Sequence, residues 1–209
     1  MEPDDKEAFT ARFDRVYGRT ARLFDLTVKL LPTWRRWLDG ALPHLHGPRV
    51  LEVSFGTGYL MTRYASRCEA HGLELNGPLI EAARRNLQRT GGRARLVRGN
   101  VEALPYGAAS FDTVLSTMAL SGYPDGAGAL AELGRVLRAS GTLVLIDVGY
   151  PEAGGFLGTL ATRLWEAAGD IIRDTPALLR AAGFECTQEE IGGFGSVHLL
   201  VCRKKAVPT

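Results

Sequence analysis

Gly56 and Gly58 follow the short apolar run Val50 to Val53, and Leu60, Met61, Tyr64 and Ala65 follow them at helical spacing. Strand, tight turn, helix: that order bares backbone N–H groups at a helix N-terminus, where a ligand can come close to the main chain. A pyrophosphate site of the G-x-G-x-x-G kind would carry a third glycine, and Met61 stands in its place. Glu52, on the strand before the turn, argues against a polyanion and for a ligand with positive charge. Glu74 lies 22 residues beyond Glu52, the spacing of a carboxylate that accepts hydrogen bonds from both hydroxyls of a ribose. The plain alternative for Glu74 is a loop acid. For proton chemistry, His198 is the base candidate best suited by type, with a satisfied strand histidine as its alternative. Asp147 and Asp174 are weaker candidates, and Tyr17, Met118, Tyr123, Tyr150 and Trp165 are candidates to line a pocket.

The elements that would hold these residues alternate between short apolar runs and helical patterns. Strands are expected over 49–53, 69–76, 94–99, 111–116, 141–148, 185–191 and 196–202. The run Leu143 to Ile146 is apolar throughout, as in a strand covered on both faces. Pro78 opens a helix with Leu79, Ile80, Ala83 and Leu87 on one face, and Leu130, Leu133, Val136 and Leu137 mark another. A glycine-rich loop leads to a helix with Leu160, Leu164 and Trp165. Thr175 reads as the N-cap of a last helix, with Pro176 at its first position. Residues 7–42 carry a broken apolar stripe through Phe13, Tyr17, Leu23, Phe24, Val28 and Leu31, interrupted at Pro32 and continued by Trp34, Trp37 and Leu38.

The 209 residues suit one domain with a full core, and 45% hydrophobic with 23% charged residues is ordinary for a globular protein. A formal charge of +2 gives no global field for nucleic acid, so none is expected as a partner. No apolar run nears the roughly 20 residues of a membrane span, so no stable membrane insertion is expected. The Trp34-Arg35-Arg36-Trp37 segment could touch a membrane surface but is too short to carry that reading. The start of the chain is not a signal peptide, and the expected location is cytoplasmic. Cys68, Cys186 and Cys202 are odd in number and lack metal-ligand spacing, so free thiols and no metal are expected.

Leu51-Glu52-Val53 followed by Gly56-x-Gly58 resembles motif I of the class I S-adenosylmethionine (SAM) methyltransferases, in particular the UbiE-like, methyltransferase-11 type. Three later segments resemble that family in the same order. Asn100 to Tyr106 resembles its Gly-Asp-Ala-x-x-Leu-Pro-Phe, Phe111 to Ser116 its Phe-Asp-x-Val-x-Ser strand, and Leu178 to Phe184 its penultimate helix and strand. Ser54 replaces the family's first glycine, and Asn100 replaces the aspartate that takes the adenine amino group.

The resemblance implies an α/β, Rossmann-like fold with a seven-stranded, mostly parallel sheet, its last strand antiparallel, and helices on both faces. It implies an N-terminal helical lid over residues 1–46 and a SAM-binding core over 47–209. The cofactor is then S-adenosyl-L-methionine, with S-adenosylhomocysteine as product. Glu52, Ser54, Gly56, Gly58, Glu74, Leu75, Asn100, Val101, Ser116 and Met118 are the implied cofactor contacts, and His198, Tyr150 and Tyr17 the candidates on the acceptor side. The implied reaction is methyl transfer to a small, partly hydrophobic molecule. The competing reading is a binding or partner protein of the same fold without methyl transfer, which the departures at Ser54 and Asn100 favour.

Overall fold

The computed structural model describes residues 32–205. Phe13, Tyr17, Leu23, Phe24, Val28 and Leu31 lie outside them. The chain forms one seven-stranded sheet in the order β3-β2-β1-β4-β5-β7-β6. The strands are β1 (Arg49–Val53), β2 (Glu69–Glu74), β3 (Ala94–Arg98), β4 (Phe111–Thr117), β5 (Leu137–Val148), β6 (Phe184–Gly192) and β7 (Val197–Lys204). The first five pair in parallel. β7 runs antiparallel to both β5 and β6, so it alone is reversed, as expected for the last strand.

Alternation along each strand divides the core between the two faces of the sheet. Leu51, Val53, Val114, Leu143 and Leu145 point to one face, where α4 (Gly126–Val136) supplies Leu130 and Leu133 and α6 (Thr175–Ala181) supplies Leu179. Val50, Leu115, Val144 and Ile146 point to the other. There α2 (Met61–Tyr64) supplies Met61 and Tyr64, and α3 (Gly77–Thr90) supplies Ile80, Ala83 and Leu87. Trp37, from α1 (Pro32–Asp39), and Trp165, from α5 (Phe156–Ala168), pack against the same cluster.

Between β1 and β4 the strand order reverses. In open α/β sheets that switch point, at the carboxyl ends of the strands, is where ligands bind. Both strands end there on a non-glycine residue in the left-handed region, Ser54 at φ 51° and Met118 at φ 53°. Such conformations cost on the order of 1–3 kcal/mol each and gather at functional sites. The strand that ends at Ser54 is buried on both faces, and the Ser54 N–H donates to Leu73 O at 2.7 Å.

Several local expectations change. Cys186 and Cys202 stand directly opposite each other in the β6/β7 ladder and form a disulfide, so only Cys68 is a free thiol. Sixteen residues apart in sequence, they are brought together by a hairpin register that spacing alone does not reveal. Asp174, not Thr175, caps α6, its side chain accepting from Ala177 N at 2.8 Å. Leu137 ends the α4 pattern but begins β5. β7 runs on to Lys204, which donates from Nζ to Leu137 O at 2.6 Å.

Candidate active site

The glycine turn is tied to both helices and strands around it. Gly56 N–H donates to Glu74 Oε2 at 3.0 Å, and Asn76 N–H donates to Glu74 Oε1 at 3.0 Å. Asn86, on α3, donates from Nδ2 to Thr57 O at 2.9 Å. Glu74 is only 5% exposed. Both oxygens of this carboxylate accept backbone N–H groups at the end of β2, the place expected for a ribose diol. Leu75 beside it is half-buried, and its carbonyl accepts from Arg98 Nε at 2.9 Å.

Gly58 plays a different part from the one its motif suggests. It sits at φ 72°, and a Cβ there would lie 2.9 Å from the Ala83 Cβ. The missing side chain lets α3 close on the turn, which is a packing demand as much as a ligand demand.

Glu52 is also used differently. Strand alternation turns it away from Leu51 and Val53, into the body of the domain. There its Oε2 accepts from Tyr64 Oη at 2.9 Å. Burial is the main cause that raises its pKa to about 8; the Tyr64 hydrogen bond opposes the rise and nearby Glu74 adds to it. The group is therefore protonated at neutral pH and does not offer the cleft the negative charge expected from sequence. The folded pKa lies above the unfolded value of 4.5, so folding takes up a proton. Stability tied to this group is fully present below pH 4.5 and lost as pH rises toward about 8. Glu52→Gln should accordingly match the wild type near pH 4 and exceed it by about 4 kcal/mol at pH 8. Urea unfolding at both pH values measures this, and a difference that does not change with pH would refute the buried proton.

At the end of β3, Asn100 caps the 3-10 turn Val101–Ala103, its Oδ1 accepting from Glu102 N at 3.0 Å. Asn100 is exposed and Val101 is buried against the core. At the switch point, Tyr123 Oη donates to Ser54 Oγ at 2.9 Å and lies 3.4 Å from Ser116 Oγ. This hydroxyl cluster joins the ends of β1 and β4. Burial raises the Tyr123 pKa, so the phenol stays protonated. The side chain at position 54, where the family has glycine, is thus spent on Tyr123.

A separate cavity of about 380 Å³ opens beyond the end of β5. Its walls include Asp147, Gly149, Tyr150, Arg173, Gln188, His198 and Leu200. Asp147 is buried and accepts from Ser121 N at 2.7 Å, Ser121 Oγ at 2.8 Å and Val148 N at 2.8 Å. Burial is the main cause that lifts its pKa, to about 6. Arg173 holds the chain between the two sites, donating to Tyr123 O at 2.6 Å and Leu120 O at 3.1 Å. Tyr150 is 45% exposed and donates to Glu166 Oε2 at 2.9 Å. Thus the ends of β1, β2, β3 and β4 bring Ser54, Gly56, Gly58, Glu74, Leu75, Asn100, Val101, Ser116 and Met118 to one side of the fold, and Glu52 is turned away from them onto Tyr64. Tyr150 and His198 meet at the neighbouring cavity, and Tyr17 lies outside the described residues.

Residues 51–145 match the family model of a methyltransferase domain. Over those residues the chain is similar to that family. Ubiquinone/menaquinone biosynthesis C-methyltransferase UbiE of Rhizobium leguminosarum bv. trifolii is 31% identical over 147 residues, which are 64% of this chain and 57% of the relative. Demethylmenaquinone methyltransferase of Thermus thermophilus is 29% identical over 149 residues, 68% of each chain. The chain therefore spans a little over half the length of the first of these relatives. A SAM-dependent methyltransferase from Thermotoga maritima shares the fold, with a TM-score of 0.73 at 20% identity over 91% of this chain and 99% of that one.

Three contributors to the candidate site gain their roles only in the fold. Tyr64 reads as a core aromatic, Tyr123 only as a candidate to line a pocket, and Gln188 as an exposed strand residue. What gives each a role is the partner opposite it, Glu52, Ser54 and His198 respectively. No group of three or more metal-ligating side chains occurs among the described residues, and no described helix is long and apolar enough to cross a membrane.

Proposed function

We propose that the protein transfers a methyl group from SAM to a small, partly hydrophobic acceptor of the quinol type. The observation that carries this reading is the cradle at the switch point. A buried carboxylate, Glu74, ties the glycine turn to the end of β2, with one oxygen on Gly56 N–H and the other on Asn76 N–H. Relatives named for ubiquinone and menaquinone methylation support the acceptor class. When bound, SAM supplies an electrophilic methyl group. The chain's own share is to hold donor and acceptor in line and exclude water, for which no catalytic triad is required. Glu74 would hold the ribose, Asn100 and Val101 the adenine, and the Ser54, Ser116 and Met118 ends the methionine part. His198 and Tyr150 would face the acceptor.

Incubation with methyl-labelled SAM and a demethylated naphthoquinol tests the reaction. Label appearing in the quinol fraction is the expected result. Tight SAM binding with no label transferred to any quinol or phenol would favour the non-transferring alternative.

The adenine contact has its own test. The Asn100 Oδ1 is already engaged by Glu102 N, so it offers adenine one remaining lone pair. A carboxylate could keep the cap with one oxygen and present the other, with charge. Asn100→Asp should therefore tighten SAM about fivefold to tenfold, and Asn100→Leu should weaken it. Loss of SAM binding in Asn100→Asp would show that the base is held in another way.

Residues before Pro32 would form a cover over the cofactor side. Trp34 packs on Trp165 of α5 with ring centroids 6.1 Å apart, so the chain enters the described domain beside that helix. α5 there presents Phe156, Leu157, Leu160 and Leu164 to solvent. Hydrogen exchange over residues 8–31 should slow when cofactor binds. Unchanged exchange would leave this segment as plain scaffold.

A further inference from the structure

The cavity beyond β5 holds a polar atom with nothing to bond. His198 is 5% exposed, and its Nε2 has no hydrogen-bond partner among the described residues. The other ring nitrogen is engaged: Nδ1 lies 2.8 Å from Gln188 Nε2. The same Gln188 nitrogen donates to Glu152 Oε1 at 2.8 Å. That second contact settles which way the amide faces. A carboxylate only accepts, so the amide must turn its NH₂ toward Glu152, and the reverse placement would set oxygen against oxygen. The two hydrogens of one NH₂ group then serve Glu152 and His198. Nδ1 is left as an acceptor, and in a neutral imidazole the proton must reside on Nε2.

We propose that the Glu152–Gln188–His198 chain sets His198 as a hydrogen-bond donor, and that its Nε2–H binds a carbonyl, phenol or phenolate oxygen of the acceptor molecule in this cavity. The proposal rests on the methyltransferase reading for the identity of that molecule, and it deepens it. It also reverses the role that sequence suggests for His198, since a nitrogen that already carries a proton cannot take another from the acceptor.

The cavity suits such a ligand. Its volume of about 380 Å³ falls in the range of small-molecule sites. Gly149 forms part of the rim, and a Cβ placed there would come within 3.4 Å of His198 Nε2, so the absent side chain leaves the donor accessible. Arg173 also lines the cavity, held by backbone carbonyls, with the carboxyl groups of Asp147 and Asp125 near enough to favour its charge. The acids nearest His198 are already occupied. Asp147, opposite it on β5, accepts from Ser121 and Val148, and Glu190, opposite it on β6, accepts from Glu152 N at 2.6 Å. A ligand oxygen is therefore the missing partner. The site is also joined to the cofactor edge through one short segment: Ser121 meets Asp147 while Tyr123 meets Ser54. With strands roughly 4.8 Å apart, β7 stands about 14 Å from β1, within the reach of a bound two-ring acceptor and a cofactor laid end to end.

The test uses the full chain, ¹⁵N-histidine spectra, and 2-naphthol as probe with naphthalene as the control lacking oxygen. His198→Gln assigns the His198 signals. The wild type should show the neutral Nε2–H tautomer, and Gln188→Glu should move the proton to Nδ1 or charge the ring. Binding of 2-naphthol should fall about tenfold in His198→Leu and be largely restored in His198→Gln, whose amide NH₂ can replace the donor, while naphthalene binding stays level. An Nδ1–H tautomer in the wild type, or 2-naphthol affinity indifferent to His198→Leu, overturns the proposal. S-adenosylhomocysteine affinity, measured in parallel, separates the two claims. If it is intact while 2-naphthol ignores His198, only the donor assignment fails; if it is absent as well, the methyltransferase reading fails with it.

Discussion

Valine in place of Gly58 should unfold the cofactor edge of the sheet, beyond merely obstructing a ligand. The residue sits at φ 72°, and its Cβ would press on Ala83 of α3 at 2.9 Å. A left-handed conformation costs a side-chain-bearing residue roughly 1–2 kcal/mol, more when β-branched. Overpacking a tight contact typically adds about 1–3 kcal/mol. Gly58→Val should thus lose about 2–5 kcal/mol in urea unfolding, and SAM affinity with it. Combining Gly58→Ala with Ala83→Gly separates the causes, because it relieves the contact and keeps the backbone strain. That pair should recover the packing share only. A Gly58→Val protein of full stability that has lost SAM alone would return this glycine to the ligand.

Glu74→Ala should have the larger effect on binding. It removes the acceptor for two backbone N–H groups, Gly56 and Asn76, and the proposed acceptor for the ribose. Deleting a charged hydrogen-bonding group of this kind costs roughly 1.5–3 kcal/mol, which is about tenfold to more than a hundredfold in affinity. SAM and S-adenosylhomocysteine should weaken alike, since both carry the ribose. Weakening of SAM alone would mean that Glu74 senses the sulfonium charge. Weakening of neither would leave Glu74 as a tie for the glycine turn.

The sheet could be read from the chain because its signals are local: apolar runs of strand length, glycine turns, and a proline opening α3. The reversed direction of β7 was available only through the family likeness. The helix cap at Asp174 aside, the features not legible in the sequence are set by a partner ten or more residues away. Glu52 looks like a cleft acid until strand alternation turns it onto Tyr64. Cys186 looks like a free thiol until the β6/β7 register sets it opposite Cys202. Ser54 looks like a defect in a glycine motif, yet its hydroxyl accepts the bond from Tyr123. His198 was visible as a residue type, but its proton is placed by Gln188 and Glu152, which no motif singles out.

Calorimetric titration of the wild-type chain with SAM and with S-adenosylhomocysteine tests the central claim most directly. One molecule of either should bind per chain, and Glu74→Ala should weaken both by similar factors. No binding of either compound by a folded wild-type protein would contradict the assignment of the β1–β4 edge as a SAM site.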